Sequence, residues 1–192
     1  MNIGRSMNGR QKEILGILLC MLAFFIFLSF LTYDPREAPY GLSAEISKKN
    51  IMGIFGIYTS YYLMKFSFGW GTFFLPLIMG IHGYSLLSRK SQRISFRISA
   101  NLFGLGIWFS LVLAGIGSFE GGMWEAEFPG FLGYVLWNFL KGIFGLYATF
   151  IILIVFLMIL LSGFLHFSIY DFFKFKYERI KNKYIKWNEK RK

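Results

Sequence analysis

Four stretches without a single Asp, Glu, Lys or Arg, at residues 14–33, 66–88, 98–119 and 142–170, limit what this chain can fold into more than any motif does. Each can supply the roughly 20 residues that cross a bilayer as helix. With 55% hydrophobic and 21% aromatic residues, 24 of them Phe, a chain of 192 residues is too apolar to hide its side chains in one soluble core. The fold class expected is all-α integral membrane, with four transmembrane helices at about 14–33, 66–88, 98–119 and 143–167.

The first run follows Arg5, Arg10 and Lys12 in the manner of a signal peptide. It is longer than the roughly 7 to 15 apolar residues of such signals, and Phe30, Leu31, Thr32 and Tyr33 offer no small-residue cleavage site. It is expected to stay as an anchor. Cys20, the single cysteine, lies inside it, so no intramolecular disulfide can form, and the residue reads as a small apolar group.

Charge orients the bundle. Sixteen of the 21 Lys and Arg fall before residue 14, between residues 89 and 97, and after residue 170, whereas Arg36, Lys48, Lys49, Lys65 and Lys141 make up the other side. By the positive-inside rule residues 1–13 form a cytoplasmic tail, the C-terminus is cytoplasmic, and the segments around residues 34–65 and 120–141 face outward. The net charge of +11 is then mostly a topology signal.

The outward segments repeat one another. Gly53, Gly56, Tyr58, Tyr62, Lys65, Phe68 and Gly69 recur as Gly130, Gly133, Tyr134, Asn138, Lys141, Phe144 and Gly145, the glycine pairs at an offset of 77 and the rest at 76. Residues 50–65 are too short and too polar to form a fifth span, and crossing there would carry Arg89 and Lys90 outside. Residues 50–65 and 130–141 therefore read as helices lying in the outer interface. Ile54, Ile57, Tyr61 and Met64 are expected to face the membrane in the first. In the second, Tyr134, Asn138 and Lys141 make a polar stripe opposite Leu132, Val135, Leu136, Phe139 and Leu140, and Trp124 and Trp137 suit the aromatic belt. Each half is span, outer interfacial helix, span, and the two halves make a parallel repeat.

Residues 171–192 read as a basic cytoplasmic juxtamembrane helix. Its Lys174, Lys176, Arg179, Lys181, Lys183 and Lys186 can meet anionic lipid or, by the same Coulombic attraction, DNA phosphate. The plainer reading is a solvated charge run that fixes topology.

No P-loop, zinc-ligand cluster, nucleophile elbow or HExxH stretch occurs, so neither a catalytic site nor a cofactor or metal site is expected. His82, inside the second span, is a functional candidate by position, but no acidic residue lies at its depth, and a neutral imidazole bonded to another helix is the simpler account. His166 sits at another depth, which argues against a haem held by the pair. Gly104 and Gly106 in the third span read as packing sites.

Residues 28–35, Leu-Ser-Phe-Leu-Thr-Tyr-Asp-Pro, resemble the end of the first span and the turn after it in the amino-terminal membrane domain of the FtsK and SpoIIIE DNA translocases. The resemblance continues through Asn50, Gly53 and Gly56, then Phe68, Gly69, Phe73, Leu75 and Pro76, and in the second half through Gly130, Gly133, Phe144 and Gly145. It covers about residues 14–167. It implies a multi-pass anchor in the bacterial inner membrane at the division septum, part of a homo-oligomeric, hexameric DNA pump that contacts cell-division proteins and serves chromosome segregation. The RecA-like motor and DNA reader of that family have no counterpart up to Lys192, so ATP hydrolysis and DNA movement are expected only of a missing downstream part. Two alternatives are a small repeat-built transporter or channel with His82 in its path, and a divisome scaffold that lacks a motor.

The charge topology predicts which loops meet the outside. Single cysteines at Ser43 and Gly122 are expected to react with a membrane-impermeant thiol reagent on intact cells, and cysteines at Ser91 and Asn188 only after the membrane is opened.

Overall fold

The computed structural model describes residues 8–37, 39, 49–88, 91–120 and 127–165. Among them the chain is all helix, without strands, and four helices are long and apolar enough to cross a membrane. In chain order these are α1, Gly9–Leu31; α2, Gly53–Phe66; α3, Phe74–Leu87, led in by a 3-10 segment Gly69–Phe73; α4, Gln92–Glu120; α5, Gly130–Phe144; and α6, Leu146–Leu165. The spans use α1, the 3-10 segment with α3, α4 and α6.

Helices α1 and α4 begin before the uncharged runs do. Arg10, Lys12 and Glu13 belong to α1, and Arg93 and Arg97 to α4. A helix does not stop where charge begins, because backbone hydrogen bonding is indifferent to side chains that can reach the headgroups. At the start of α1 the Gln11 side chain accepts a hydrogen bond from the Asn8 N–H at 2.9 Å, which satisfies one end-of-helix donor. Pro76 occupies the first turn of α3, where its missing N–H leaves no helical bond unmade.

Close helix packing in lipid depends on small residues, since apolar side chains gain little by leaving an apolar solvent. Helices α1 and α3 meet through Gly16 and Gly83: a Cβ on Gly16 would lie 2.8 Å from the Gly83 carbonyl, and one on Gly83 would lie 2.6 Å from Cys20 Sγ. Cys20 thus faces α3, with its thiol 3.9 Å from the Gly80 carbonyl oxygen. The 3-10 segment presses on α4 at Gly71 and Gly106, whose backbones would both collide with any added Cβ. Gly104 receives Leu160 of α6 in the same way. Both third-span glycines are packing sites, each against a different neighbour.

Helix α4 is the central span. Its Leu111 and Ala114 are buried with Trp137 of α5 and Leu153 of α6, and Trp108 donates its indole N–H to the Leu153 carbonyl at 2.9 Å. A second cluster joins Ile26 and Phe30 of α1 to Met64 of α2. Between α3 and α4, His82 Nε2 and Ser99 Oγ are 3.0 Å apart, so the imidazole has an interhelical partner.

The two short helices sit differently from their sequence expectation. Ile57, Tyr61 and Met64 of α2 pack into protein and are all at most 4% exposed, while Ile54, Phe55, Tyr58, Tyr62 and Phe66 form the open side. The stripe at i, i+4 and i+7 is a core face here because α1, the 3-10 segment and α5 pack against α2. In α5 the buried face is Gly130, Gly133 and Trp137, and Tyr134, Val135 and Phe139 are exposed. Trp137 is a core residue at 1% exposure rather than a belt residue, because its indole fits over Gly115, where a Cβ would lie 3.0 Å from the ring. Trp124 lies outside the described residues.

Gly80 and Gly83 lie on the same helix, and a Cβ at Gly80 meets nothing within 4 Å. Gly83→Ala is therefore expected to lower stability in detergent by about 1–3 kcal/mol through overpacking. Gly80→Ala is expected to leave it unchanged or raise it by up to about 1 kcal/mol, from helix propensity alone. Paired thermal unfolding curves check both.

Candidate functional site

The repeated glycines mark where each of the two short helices starts and stops. Gly53 and Gly130 open α2 and α5 at φ 61° and 68°, and Gly69 and Gly145 follow their ends at 53° and 78°. These are the positive-φ glycines among the described residues, and they form two repeat-related pairs. Any L side chain there would be strained, which explains why the sequence places Gly at those four points. The turn into each helix is also the same: the Gly53 N–H donates to the Asn50 carbonyl at 2.8 Å, and the Gly130 N–H to the Glu127 carbonyl at 3.3 Å. Glu127 is thus the repeat counterpart of Asn50, at the offset of 77 that the glycine pairs already show.

Asn50 does more than turn the chain. Only 4% exposed, it donates from Nδ2 to the carbonyls of Ser29 at 3.0 Å and Thr32 at 3.3 Å, the open end of α1, while Oδ1 accepts the Met52 N–H at 3.1 Å. One amide therefore caps a span and starts the short helix α2. Gly56 makes room for it, since a Cβ there would collide with Asn50 Oδ1. Around this corner Lys49 Nζ lies 3.2 Å from Asp34, and the Arg36 N–H, then Lys49, hold the Asp34 carboxyl below the ordinary carboxylate range. Exposed as it is, that ion pair contributes little stability.

The two halves join at Gly69 and Gly130. A Cβ on Gly69 would run into the Phe128 carbonyl, and one on Gly130 into the Gly69 N–H, so here two backbones touch directly. Two hydrogen bonds cross the junction: the Trp70 N–H donates to the Phe128 carbonyl at 2.9 Å, and the Leu132 N–H to the Ser67 carbonyl at 3.0 Å. Ser110 Oγ of α4 donates to the Pro129 carbonyl at 2.6 Å, and Gly133 leaves space for that hydroxyl. Phe68 lies edge-on to Phe103 at 5.9 Å, and Trp70 edge-on to Phe128 at 5.8 Å.

Beside the junction an apolar cleft opens between Phe30, Tyr33, Met64, Trp70, Phe73 and Phe109. Burial, and then the charge of Glu127, push the Tyr33 phenol up to about 12, so it enters this wall as a neutral group.

Asn50, Gly53, Gly56, Phe68, Gly69, Gly130 and Gly133 all belong to this outer frame. Phe144 and Gly145 carry the same pattern to an open edge, where both are exposed. Pro76 stands apart in α3. Lys174, Lys176, Arg179, Lys181, Lys183 and Lys186 lie outside the described residues. Ser110, Gly71 and Trp137 are essential to the frame and were not singled out for it, since no local pattern announces a long-range contact. Glu127 had a signal in the repeat offset. Among the described residues no three His, Cys, Asp or Glu side chains come together in a way that would hold a metal ion.

These features define a multi-pass helical membrane region whose outer frame is made of backbone and small residues rather than reactive side chains. Residues 8–176 match the family described as the 4TM region of DNA translocase FtsK/SpoIIIE, and the chain belongs to that family. This region is the membrane anchor part of those proteins and not a catalytic domain. No curated protein and no solved structure matches the chain.

Gly53 and Gly130 share a conformation but not a neighbourhood, because a Cβ on Gly53 meets nothing within 4 Å. Gly53→Ala is expected to destabilise by about 1–2 kcal/mol, the strain of a left-handed L residue. Gly130→Ala adds the collision with Gly69 and is expected to exceed that value, as chemical or thermal unfolding of the two variants would show.

Proposed function

We propose that the chain is the septal membrane anchor and self-association module of a bacterial DNA translocase acting in cell division and chromosome segregation. The observation that carries this reading is the family match across residues 8–176, joined to a fold whose two short helices form a glycine-framed platform. Such a platform suits protein contacts at a fixed depth, because its two helices are pinned to the spans by Asn50, Ser110 and the Gly69–Gly130 junction. Both termini lie in the cytoplasm of the inner membrane on this reading, as the basic flanks favour. A motor following the fourth span would then work on the DNA side.

The basic run after the fourth span would hold the anchor to anionic lipid, at about 1 kcal/mol per Lys or Arg near the surface. It also gives DNA a weak, salt-sensitive contact. The transporter alternative places His82 in its path, and the contact with Ser99 fits the simpler account of an imidazole bonded to another helix.

A fluorescent fusion to the full chain, imaged in dividing cells, tests the proposal. The expected result is a band at the closing septum that forms before separation, with unsegregated chromosome ends accumulating when the gene is deleted. A signal spread evenly over the envelope throughout division would overturn it.

A further inference from the structure

The chain contains one complete junction between a helix end and a helix start, and it exposes the two halves of another. Inside the chain, the end of the first outer helix (Ser67, Phe68, Gly69) docks on the start of the second (Phe128, Pro129, Gly130). By the repeat offsets, the corresponding end is Ile143, Phe144, Gly145, and the corresponding start is Ile51, Met52, Gly53. Those two do not meet. Gly145 is exposed where Gly69 is buried, and neither Gly145 nor Gly53 has a neighbour that an added Cβ would touch. Ile51, Phe55, Ile143 and Phe144 are all at least half exposed.

The open ends are also preformed. Gly53 and Gly145 hold a positive φ as the buried pair does, at 61° and 78°, a backbone that only glycine adopts without strain. As first-turn amides of α2 and α6, the Phe55 and Leu146 N–H groups have no carbonyl of their own helix to reach. They stand at the places of the Leu132 and Trp70 N–H groups, the two donors that cross the internal junction. The acceptors at the places of Ser67 and Phe128 are the carbonyls of Ile143 and Ile51.

We propose that these ends mate between copies: the Ile143-Phe144-Gly145 step of one chain docks on residues 51–55 of a second copy, repeating across the boundary the junction that Ser67-Phe68-Gly69 makes within the chain. The proposal rests on the self-association reading above and names the surface. Such a contact is head-to-tail, so successive copies propagate around a ring or along a filament instead of closing as a two-fold dimer. One substitution limits how far the likeness extends. Tyr147, 83% exposed, stands where Gly71 lets the first half press on α4, so the spans of neighbouring copies stay further apart than α3 and α4 do. The contact is concentrated at the outer helices.

Disulfide trapping in native membranes tests this, on full chains carrying Cys20→Ala to remove the native thiol. A Ser67→Cys/Leu132→Cys chain serves as the internal reference and is expected to close within one chain. Differently tagged Phe55→Cys and Ile143→Cys chains, coexpressed, are expected to give covalent heterodimers, with none from either variant alone, and the double variant is expected to give a ladder. Energy transfer between fluorescently tagged copies reports association independently. Association without the 55–143 cross-link, or a dimer from Ile143→Cys alone, would overturn this junction and leave self-association standing. Absence of both energy transfer and cross-link would overturn the two together.

Discussion

The backbone contact between Gly69 and Gly130 holds the outer half of this structure together. Four spans alone would leave two short helices tethered at the surface, free to choose their depth and direction. Because both residues lack a Cβ, the end of α2 approaches the start of α5 until main-chain hydrogen bonds form across them, from Trp70 to Phe128 and from Leu132 to Ser67. Those bonds use amides and carbonyls that helix termini otherwise leave unpaired. Removing the contact therefore orphans donors and acceptors as well as loosening packing.

The same rule governs four other polar contacts. Asn50 covers the carbonyls at the end of α1, Ser110 reaches the Pro129 carbonyl, Thr72 donates to the Leu63 carbonyl at 3.2 Å, and His82 pairs with Ser99. Each ties one element to another where hydrophobic packing supplies little force between helices. Polar side chains act here as fasteners, three of them at the two short helices and the His82–Ser99 pair between two spans. That is why the frame resembles a binding site in its density of named residues and yet contains no reactive constellation among those described.

Span count and helix type were legible in the sequence because exclusion of charge over about 20 residues is a one-dimensional property. The repeat was legible too, since left-handed turns demand Gly at fixed spacing, and Gly53, Gly69, Gly130 and Gly145 meet that demand in order. Facing was not legible. Periodicity grouped Ile54, Ile57, Tyr61 and Met64 on one apolar side; the last three share a buried face and Ile54 lies open, and since lipid and protein core are equally apolar the stripe could not say which of them it met. Trp137 misled for a related reason. Tryptophan suits an interface, and only the distant Gly115 makes a pocket deep enough to bury this one. The Gly71–Gly106 approach likewise joins positions whose sequence neighbourhoods say nothing of each other.

The two copies of the repeat have diverged where their surroundings differ and agree where backbone geometry is at stake. The left-handed glycines are kept in both halves, whether buried, as at Gly69 and Gly130, or open, as at Gly53 and Gly145. Side chains are kept less strictly: Tyr58, Lys65 and Phe68 recur as Tyr134, Lys141 and Phe144, and the residues that meet neighbours differ. Asn50 binds the end of the preceding span through its amide donor, whereas its counterpart Glu127 has a carboxyl in that place. Gly71 admits a neighbouring helix, and Tyr147 in its place projects outward. An exposed left-handed glycine weighs against the folded state, because glycine surrenders the most backbone freedom on ordering. Keeping that conformation at an edge with no neighbour in the chain makes physical sense when the edge retains the form of a junction, ready for the partner that the inner copy already has.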